Sequence, residues 1–159
     1  MGASAQKRLV RRLDLERVLL QVDPHPSPKA ILEQYTVPVD VASEMLFLAA
    51  YVHDDVTGKT VADLGCGTGR LIVGAALLDA EKGVGIDIDR LAIRKAKQSA
   101  KSLNLDRRLS WIIGDINTLR GEFDTVLQNP PFGVQRRAAD RRFILKALEL
   151  APIIYSIHK

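Results

Sequence analysis

The sequence predicts an α/β fold built on a doubly wound parallel sheet. After Gly58, short β-rich runs alternate with helical runs to the end of the chain. The first of these runs leads into a glycine-rich loop, DLGCGTGR, that opens directly into a helix. A later one ends in a stiff turn, NPPFG. Strand–helix alternation of this kind demands a parallel sheet covered on both faces. The glycine loop and the proline turn then fall at the carboxyl ends of strands, where such sheets take their ligands.

The bounds agree. A chain of 159 residues suits one domain with a substantial core. Hydrophobic residues make up 47% and charged residues 26%, an ordinary globular balance. The longest apolar runs, MLFLAAYV and LIVGAALL, are too short to span a bilayer, so no membrane partner is expected. The amino terminus has no export-type apolar segment with a small-residue cleavage site. A lone Cys66 excludes an internal disulfide and suits a reducing cytoplasm. Scattered His25, His53 and His158 make no zinc pattern, so no metal is expected. The net charge of +4 favours an anionic partner, nucleic acid above all, but only weakly.

Taken in order, the elements begin with a helix. Residues from about Ala5 to Val22 put Leu9, Leu13, Leu15, Val18, Leu19 and Val22 on one side, with Arg and Lys opposite. DPHPSP is a proline-broken loop holding His25 as a plain loop residue, with Ser27-Pro28 as cap and first position of a short helix. Asp40 caps a helix reaching about His53, with Val41, Met45, Leu48 and Val52 at helical spacing. Strands then follow at TVADL, GVGID, LSWIIGD, FDTVLQN and PIIYSI, separated by the helices RLIVGAALLDA, RLAIRKAKQSAKSL and DRRFILKALELA. Residues 1–159 form a single domain on this reading. Residues 1–55 supply helices that form part of a ligand lid, and 56–159 form the Rossmann-like core.

The glycine loop narrows the ligand. Its glycines let the backbone turn tightly and approach a bound group at a helix amino terminus. A dinucleotide fingerprint needs a glycine at the sixth place from Gly65, and that place is Arg70. Asp63 would also set a carboxylate beside a pyrophosphate. It suits a ligand carrying an ammonium and a sulfonium, and S-adenosylmethionine has both. Asp87 closes the second strand 22 residues after Gly65, where a carboxylate accepts ribose hydroxyls. Asp115 closes the third, where an acceptor meets an adenine amino group. Each could merely cap a turn, yet three acidic residues end three consecutive strands on one edge. Asp89 reads as a helix N-cap, Cys66 as a packing residue, and Trp111 as core.

The proline turn follows the fourth strand. Prolines cannot donate to a ladder, so the chain leaves the sheet here in one stiff shape. Asn129 Oδ1 and the Pro130 carbonyl are placed to accept the two hydrogens of a planar amine. Phe132 stacks on the plane that carries it. The chemistry this suits is methyl transfer from the sulfonium to nitrogen, aided by positioning and by carbonyl dipoles where positive charge grows. Just beyond, Arg136, Arg137, Arg141 and Arg142 read as a phosphate clamp for a strand whose target base is splayed out. Asp140 caps the following helix.

DLGCGTG with NPPF resembles the class I S-adenosylmethionine-dependent methyltransferases that methylate amines. LEQY, VADLGCGTG, GIDID, NPPFG and YSIHK together are similar to one branch, the methyltransferase-like 5 family and its archaeal relatives. The resemblance runs from about Ile31 to Lys159. It implies adenine-N6 methylation of small-subunit ribosomal RNA, with S-adenosylmethionine consumed to S-adenosylhomocysteine. It also implies a small zinc-binding activator subunit, as in the eukaryotic member. By position, Gln34 and Tyr35 close over the cofactor. Gly65, Gly67 and Thr68 hold its amino-acid end, Asp87 and Ile88 its ribose, and Asp115 with Ile116 its adenine. Asn129, Pro130, Pro131 and Phe132 hold the target amine. The family usually reads QYPT, whereas here Gln34-Tyr35 is followed by Thr36-Val37. The family's sheet also carries two further strands after YSIHK, which leaves the core C-terminally incomplete after the fifth strand.

Three rivals remain at this stage. A protein-glutamine N5-methyltransferase uses the same amine-gripping turn. A catalytically silent scaffold keeps the fold without the reaction. A nicotinamide dehydrogenase is disfavoured by Arg70 and Asp63.

Overall fold

The structure is a computed structural model that describes residues 10–131 and 138–158. Five parallel strands lie in the order β3-β2-β1-β4-β5. They are β1 (Thr60–Leu64), β2 (Lys82–Asp87), β3 (Leu109–Ile113), β4 (Thr125–Gln128) and β5 (Ile153–Ser156). Four lie within the runs read as strands from the sequence, and β2 begins one residue before its run, at Lys82. The order reverses between β1 and β4, and this switch point opens a crevice at the carboxyl edge of the sheet.

Helices cover both faces. On one side α1 (Arg12–Leu19) and α2 (Val39–Phe47) pack over α3 (Arg70–Leu77), with α4 (Arg90–Ser102) beside them. Leu15, Leu19, Leu46 and Ile72 lie at the centre of this layer. The second layer sets α5 (Ala139–Leu150) and a short 3₁₀ turn, Ile116–Thr118, against β1 and β4. Central β1 is buried at four of its five positions, which explains its continuous apolar reading.

The N-terminal segment differs from its sequence reading in phase. Leu13 is 67% exposed, while Leu15, Leu19 and Val22 are buried. Leu9 lies outside the described residues. Helix α2 starts after Pro38, so Asp40 sits in its first turn rather than capping it. A π-helical turn, Leu48–Val52, then continues it. Val41 already faces outward before that turn; the wider turn then puts Leu48 and Val52 outward too, while Ala42, Leu46, Ala49 and Ala50 are buried. Of the expected stripe only Met45 is buried.

Two expected caps are also replaced. Ser27-Pro28 does not start a helix. The short turn there is a 3₁₀ helix, Ala30–Leu32, and Ser27 N–H donates to His25 Nδ1 instead. Helix α5 is preceded by Ala138 in a left-handed conformation, and Asp140 lies inside its first turn, accepting Arg141 N–H.

The α2–α3 contact holds the N-terminal segment on the core. Leu46 is fully buried there, against the glycine face of α3 at Gly74. Leu46→Ala is expected to cost about 2–5 kcal/mol in urea-induced unfolding.

Candidate active site

Strand register builds the site. Leu64 lies opposite Ile86 and Gln128, and Asp87 opposite Ile113. The residues just beyond these positions, Gly65, Ile88, Gly114 and Asn129, therefore emerge on one edge. A single pocket there is lined by Gln34, Tyr35 and Thr36 from the N-terminal segment and by Asp63, Gly65, Gly67 and Thr68 from the first loop. Asp87, Ile88, Asp115, Ile116, Asn129 and Pro131 complete its floor and far wall. Pro130 is buried behind them. Arg142 also lines the pocket, whereas Arg141 is exposed outside it. Phe132, Arg136 and Arg137 lie outside the described residues.

The glycine loop bends where side chains are excluded. Gly65 adopts φ +67°, and a Cβ there would meet the Phe143 ring at 2.8 Å. Gly67 adopts φ +54° with open space beside it. Its N–H already donates to Asp87 Oδ2 at 2.8 Å, so Gly67 contributes access rather than a free donor. Asp87 Oδ1 accepts Asp89 N–H at 2.8 Å. A carboxylate offers about four lone-pair sites, so Asp87 retains capacity for hydroxyl donors. Burial raises its pKa against the lowering effect of those two N–H bonds.

Asp63 is strongly perturbed. It is 1% exposed, with Oδ2 accepting Ile72 N–H at 3.2 Å and Oδ1 without a partner. Burial, reinforced by the nearby Asp87 charge, pushes its pKa up to about 8 despite that bond. Beside it the Thr68 hydroxyl is buried without a partner. A dry carboxylate in this state calls for a cation. Cys66 is buried, and burial pushes its thiol well up, which fits an inert packing role.

Asp115 and Asn129 show how the far wall is set. Asp115 Oδ1 accepts Asn117 N–H at 2.9 Å, capping the 3₁₀ turn, so the bland capping role and a place in the pocket coexist. It also pairs with Arg142 Nη2 at 2.9 Å. Arg142 is therefore held by the pocket wall in this state. Asn129 Oδ1 is buried and unpartnered. Burial raises the pKa of the Tyr35 hydroxyl, and the Asn129 side chain acts in the opposite direction.

The N-terminal segment is clipped to the pocket by Gln34, read from the sequence as closing over the cofactor, and by His25, Asp89 and Arg70, to which the sequence reading assigns other roles. Gln34 Nε2 donates to Asp89 Oδ2 at 2.7 Å, and its Oε1 accepts Lys29 N–H at 2.8 Å. His25 is no plain loop residue: its side chain is 7% exposed, and Nε2 meets the same Asp89 oxygen at 3.1 Å. Asp89 also caps α4, as expected, through Leu91 and Ala92 N–H. Burial would raise Asp89, but bonds from Gln34, Ala92, Leu91 and His25 outweigh it and hold the pKa at about 2. Arg70 donates to the carbonyls of Val37 at 2.7 Å and Val22 at 2.9 Å, stapling both ends of the strap to α3. Beyond Gln34, only the conspicuous acidic pair in GIDID hinted at any of this.

A parallel sheet switching direction beside a glycine loop, with acidic residues at its strand ends and an NPP turn, defines a class I methyltransferase. The family model described as methyltransferase small domain matches residues 36–151. The chain is 43% identical to MJ0284 of Methanocaldococcus jannaschii, over 94% of this chain and 72% of that protein. It is 38% identical to the rRNA N(6)-adenosine-methyltransferase METTL5 of Danio rerio, over 92% of this chain and 73% of that one. The crystal structure of PH1948 from Pyrococcus horikoshii superposes with a TM-score of 0.88 at 40% identity, covering 95% of this chain and 74% of that one. The chain belongs to the methyltransferase small domain family and, within it, to the branch of METTL5 and its archaeal relatives.

Gln34→Ala removes both ends of the strap clip. A hydrogen bond to a carboxylate is worth about 1.5–3 kcal/mol. Amides of residues 29–37 are expected to exchange with deuterium at least about ten-fold faster, with core strands unchanged.

Proposed function

We propose that this protein transfers a methyl group from S-adenosylmethionine to adenine N6 of ribosomal RNA. The observation that carries this reading is the buried, unpartnered Oδ1 of Asn129 on the pocket lining. An acceptor so placed fits an amine donor. The naming of the METTL5 relatives supports the choice of adenine in ribosomal RNA. The small zinc-binding activator subunit enters the proposal through the family resemblance alone, and a cytoplasmic setting through the substrate and the lone buried thiol. Among the described residues no helix is long and apolar enough to cross a membrane, and no side-chain group could hold a metal ion.

The residues present fit the cofactor. The uncompensated Asp63 suits its ammonium, the spare Thr68 hydroxyl its carboxylate, Asp87 beside Ile88 its ribose, and Asp115 with Ile116 its adenine. Gln34, Tyr35 and Thr36 form the lid, and Gly65 and Gly67 allow close approach. When bound, S-adenosylmethionine supplies an electrophilic methyl group and is released as S-adenosylhomocysteine. Asn129 Oδ1 and the Pro130 carbonyl take the two amine hydrogens and aim the nitrogen lone pair. Their dipoles stabilise the positive charge that grows on nitrogen. Asn129 is neutral and serves as no base; the proton leaves to solvent after transfer. Pro131 lines the slot, Phe132 is assigned to stacking on the plane that carries the amine, and Arg136, Arg137, Arg141 and Arg142 are assigned to RNA phosphate. For Arg142 that role requires release from Asp115.

Two measurements test this. Asn129→Ala is expected to abolish turnover while cofactor affinity stays within about two-fold; wild-type turnover would remove the assignment. Methyl label transferred from radiolabelled cofactor in lysate should be lost with nuclease and kept with protease, and the reverse marks a protein-glutamine enzyme. The Asp63 assignment has its own signature. Ligand-free Asp63 keeps its proton to about pH 8. An ammonium ligand favours the carboxylate, so binding expels that proton and affinity rises from pH 6 to 7.5, by up to about ten-fold per unit. A flat profile contradicts it.

A further inference from the structure

Helix α4 carries an arrangement that the cofactor pocket does not use. Its thirteen residues include Arg90, Arg94, Lys95, Lys97 and Lys101 and no acidic residue. Arg90, Arg94, Lys97 and Lys101 follow one another at steps of four, three and four. At about 100° per residue they fall within roughly 60° of each other around the axis, and they span about 16 Å. All four are exposed. Among the described residues, none of the four has an ion pair or a side-chain hydrogen bond.

Cations elsewhere are mixed: Lys82, Arg107 and Arg141 also have no ion pair among the described residues, while others do. On α1, Arg12 pairs with Glu16 and Arg17 with Asp14, and Arg11 just before the helix also pairs with Asp14. Arg108 pairs with Asp79, Arg142 with Asp115, and Lys146 with Glu149. What sets the α4 ridge apart is that four exposed cations align on one helix that carries no acid. It costs the helix something as well. Like charges three or four residues apart destabilise by about 0.2–0.5 kcal/mol per pair. Arg90 in the first turn also opposes the helix dipole. A polyanion laid along the ridge would relieve both.

The ridge is joined to the active-site mouth. Lys29 of the strap, with Arg90 and Arg94, lines a shallow groove whose walls include Leu32 and Ile88. Leu32 and Ile88 also line the main pocket. Strands β2 and β4 are two places apart, so their ends are separated by about 10 Å at strand spacing. The upper end of the ridge thus starts within a few nucleotides of an amine held at Asn129.

We propose that the Arg90–Arg94–Lys97–Lys101 ridge of α4, entered past Lys29, is a second RNA-backbone contact that holds the strand flanking the target adenosine. The inference rests on the RNA reading of the active site. Phosphate contacts of this kind fix register and orientation without reading bases. They release counterions, so they are legible in salt dependence. Together with the arginines beyond the NPP turn, the ridge brackets the pocket with cations on two sides.

The test neutralises the ridge by Arg90→Gln, Arg94→Gln, Lys97→Gln and Lys101→Gln, since glutamine is a good helix former. A control protein carries Arg11→Gln, Arg17→Gln, Lys59→Gln and Lys82→Gln, an equal loss of charge elsewhere. Binding of a ribosomal RNA fragment is measured against salt concentration. Four lost contacts should reduce the log–log slope by about 3 and weaken binding at least about ten-fold near physiological salt. The control should keep the wild-type slope. Cofactor affinity should match wild type, the melting temperature should be equal or slightly higher as like-charge repulsion is relieved, and the loss should appear in KM for RNA with kcat retained. A ridge variant with the wild-type slope, or a control that loses as much, overturns the ridge while leaving the RNA reading intact. Wild-type protein that neither binds nor methylates ribosomal RNA removes both.

Discussion

Asp63 lies under the glycine loop at 1% exposure, with one oxygen bonded to Ile72 N–H and the other without a partner. The surrounding architecture depends on keeping that carboxylate in place. Strand β1 carries it, α3 begins above it, and the left-handed glycines turn the chain between the two. Leaving a buried acid uncompensated costs free energy that a purely structural residue would not justify. The cost is met when a cation arrives. For the same reason the position disfavours a pyrophosphate, and the loop cannot serve a dinucleotide without losing its charge logic.

Around that carboxylate the site divides its work between rigid and attached parts. Asp87, Asp115 and Asn129 stand on strand ends fixed by register with β1 and β4. The strap from Val22 to Val37 has little regular structure and is instead held by specific contacts. Arg70 fastens its two ends, and Asp89 gathers Gln34 and His25 at a single oxygen. Such an attachment is strong enough to position Tyr35 against Asn129 yet local enough to open without disturbing the core.

What was legible in the sequence follows from this division. The five strands, the helices between them and the aspartates at their ends are periodic or punctuated features, and the structure places each where the pattern puts it. Helix α2 misled because its buried face is built largely from alanines and because a π-turn rotates the phase halfway along. His25, Asp89 and Arg70 were not readable as a clip, since their contacts join positions 33 to 64 residues apart through an irregular segment. Phe143, which closes on Gly65, was hidden among ordinary helix residues. The α4 ridge was visible as charge but not as unpaired charge. That distinction needs the positions of every carboxylate.

The central claim is that Asn129 Oδ1 and the Pro130 carbonyl form a cradle for an amine facing the methyl donor. A crystal structure of the complex with S-adenosylhomocysteine and an adenosine-containing oligonucleotide tests it most directly. The account predicts the adenine N6 at hydrogen-bond distance, about 2.7–3.2 Å, from both oxygens, with the donor sulfur on the far side of that nitrogen. An adenine seated elsewhere, or an Asn129 amide turned to present its nitrogen to the base, would contradict it.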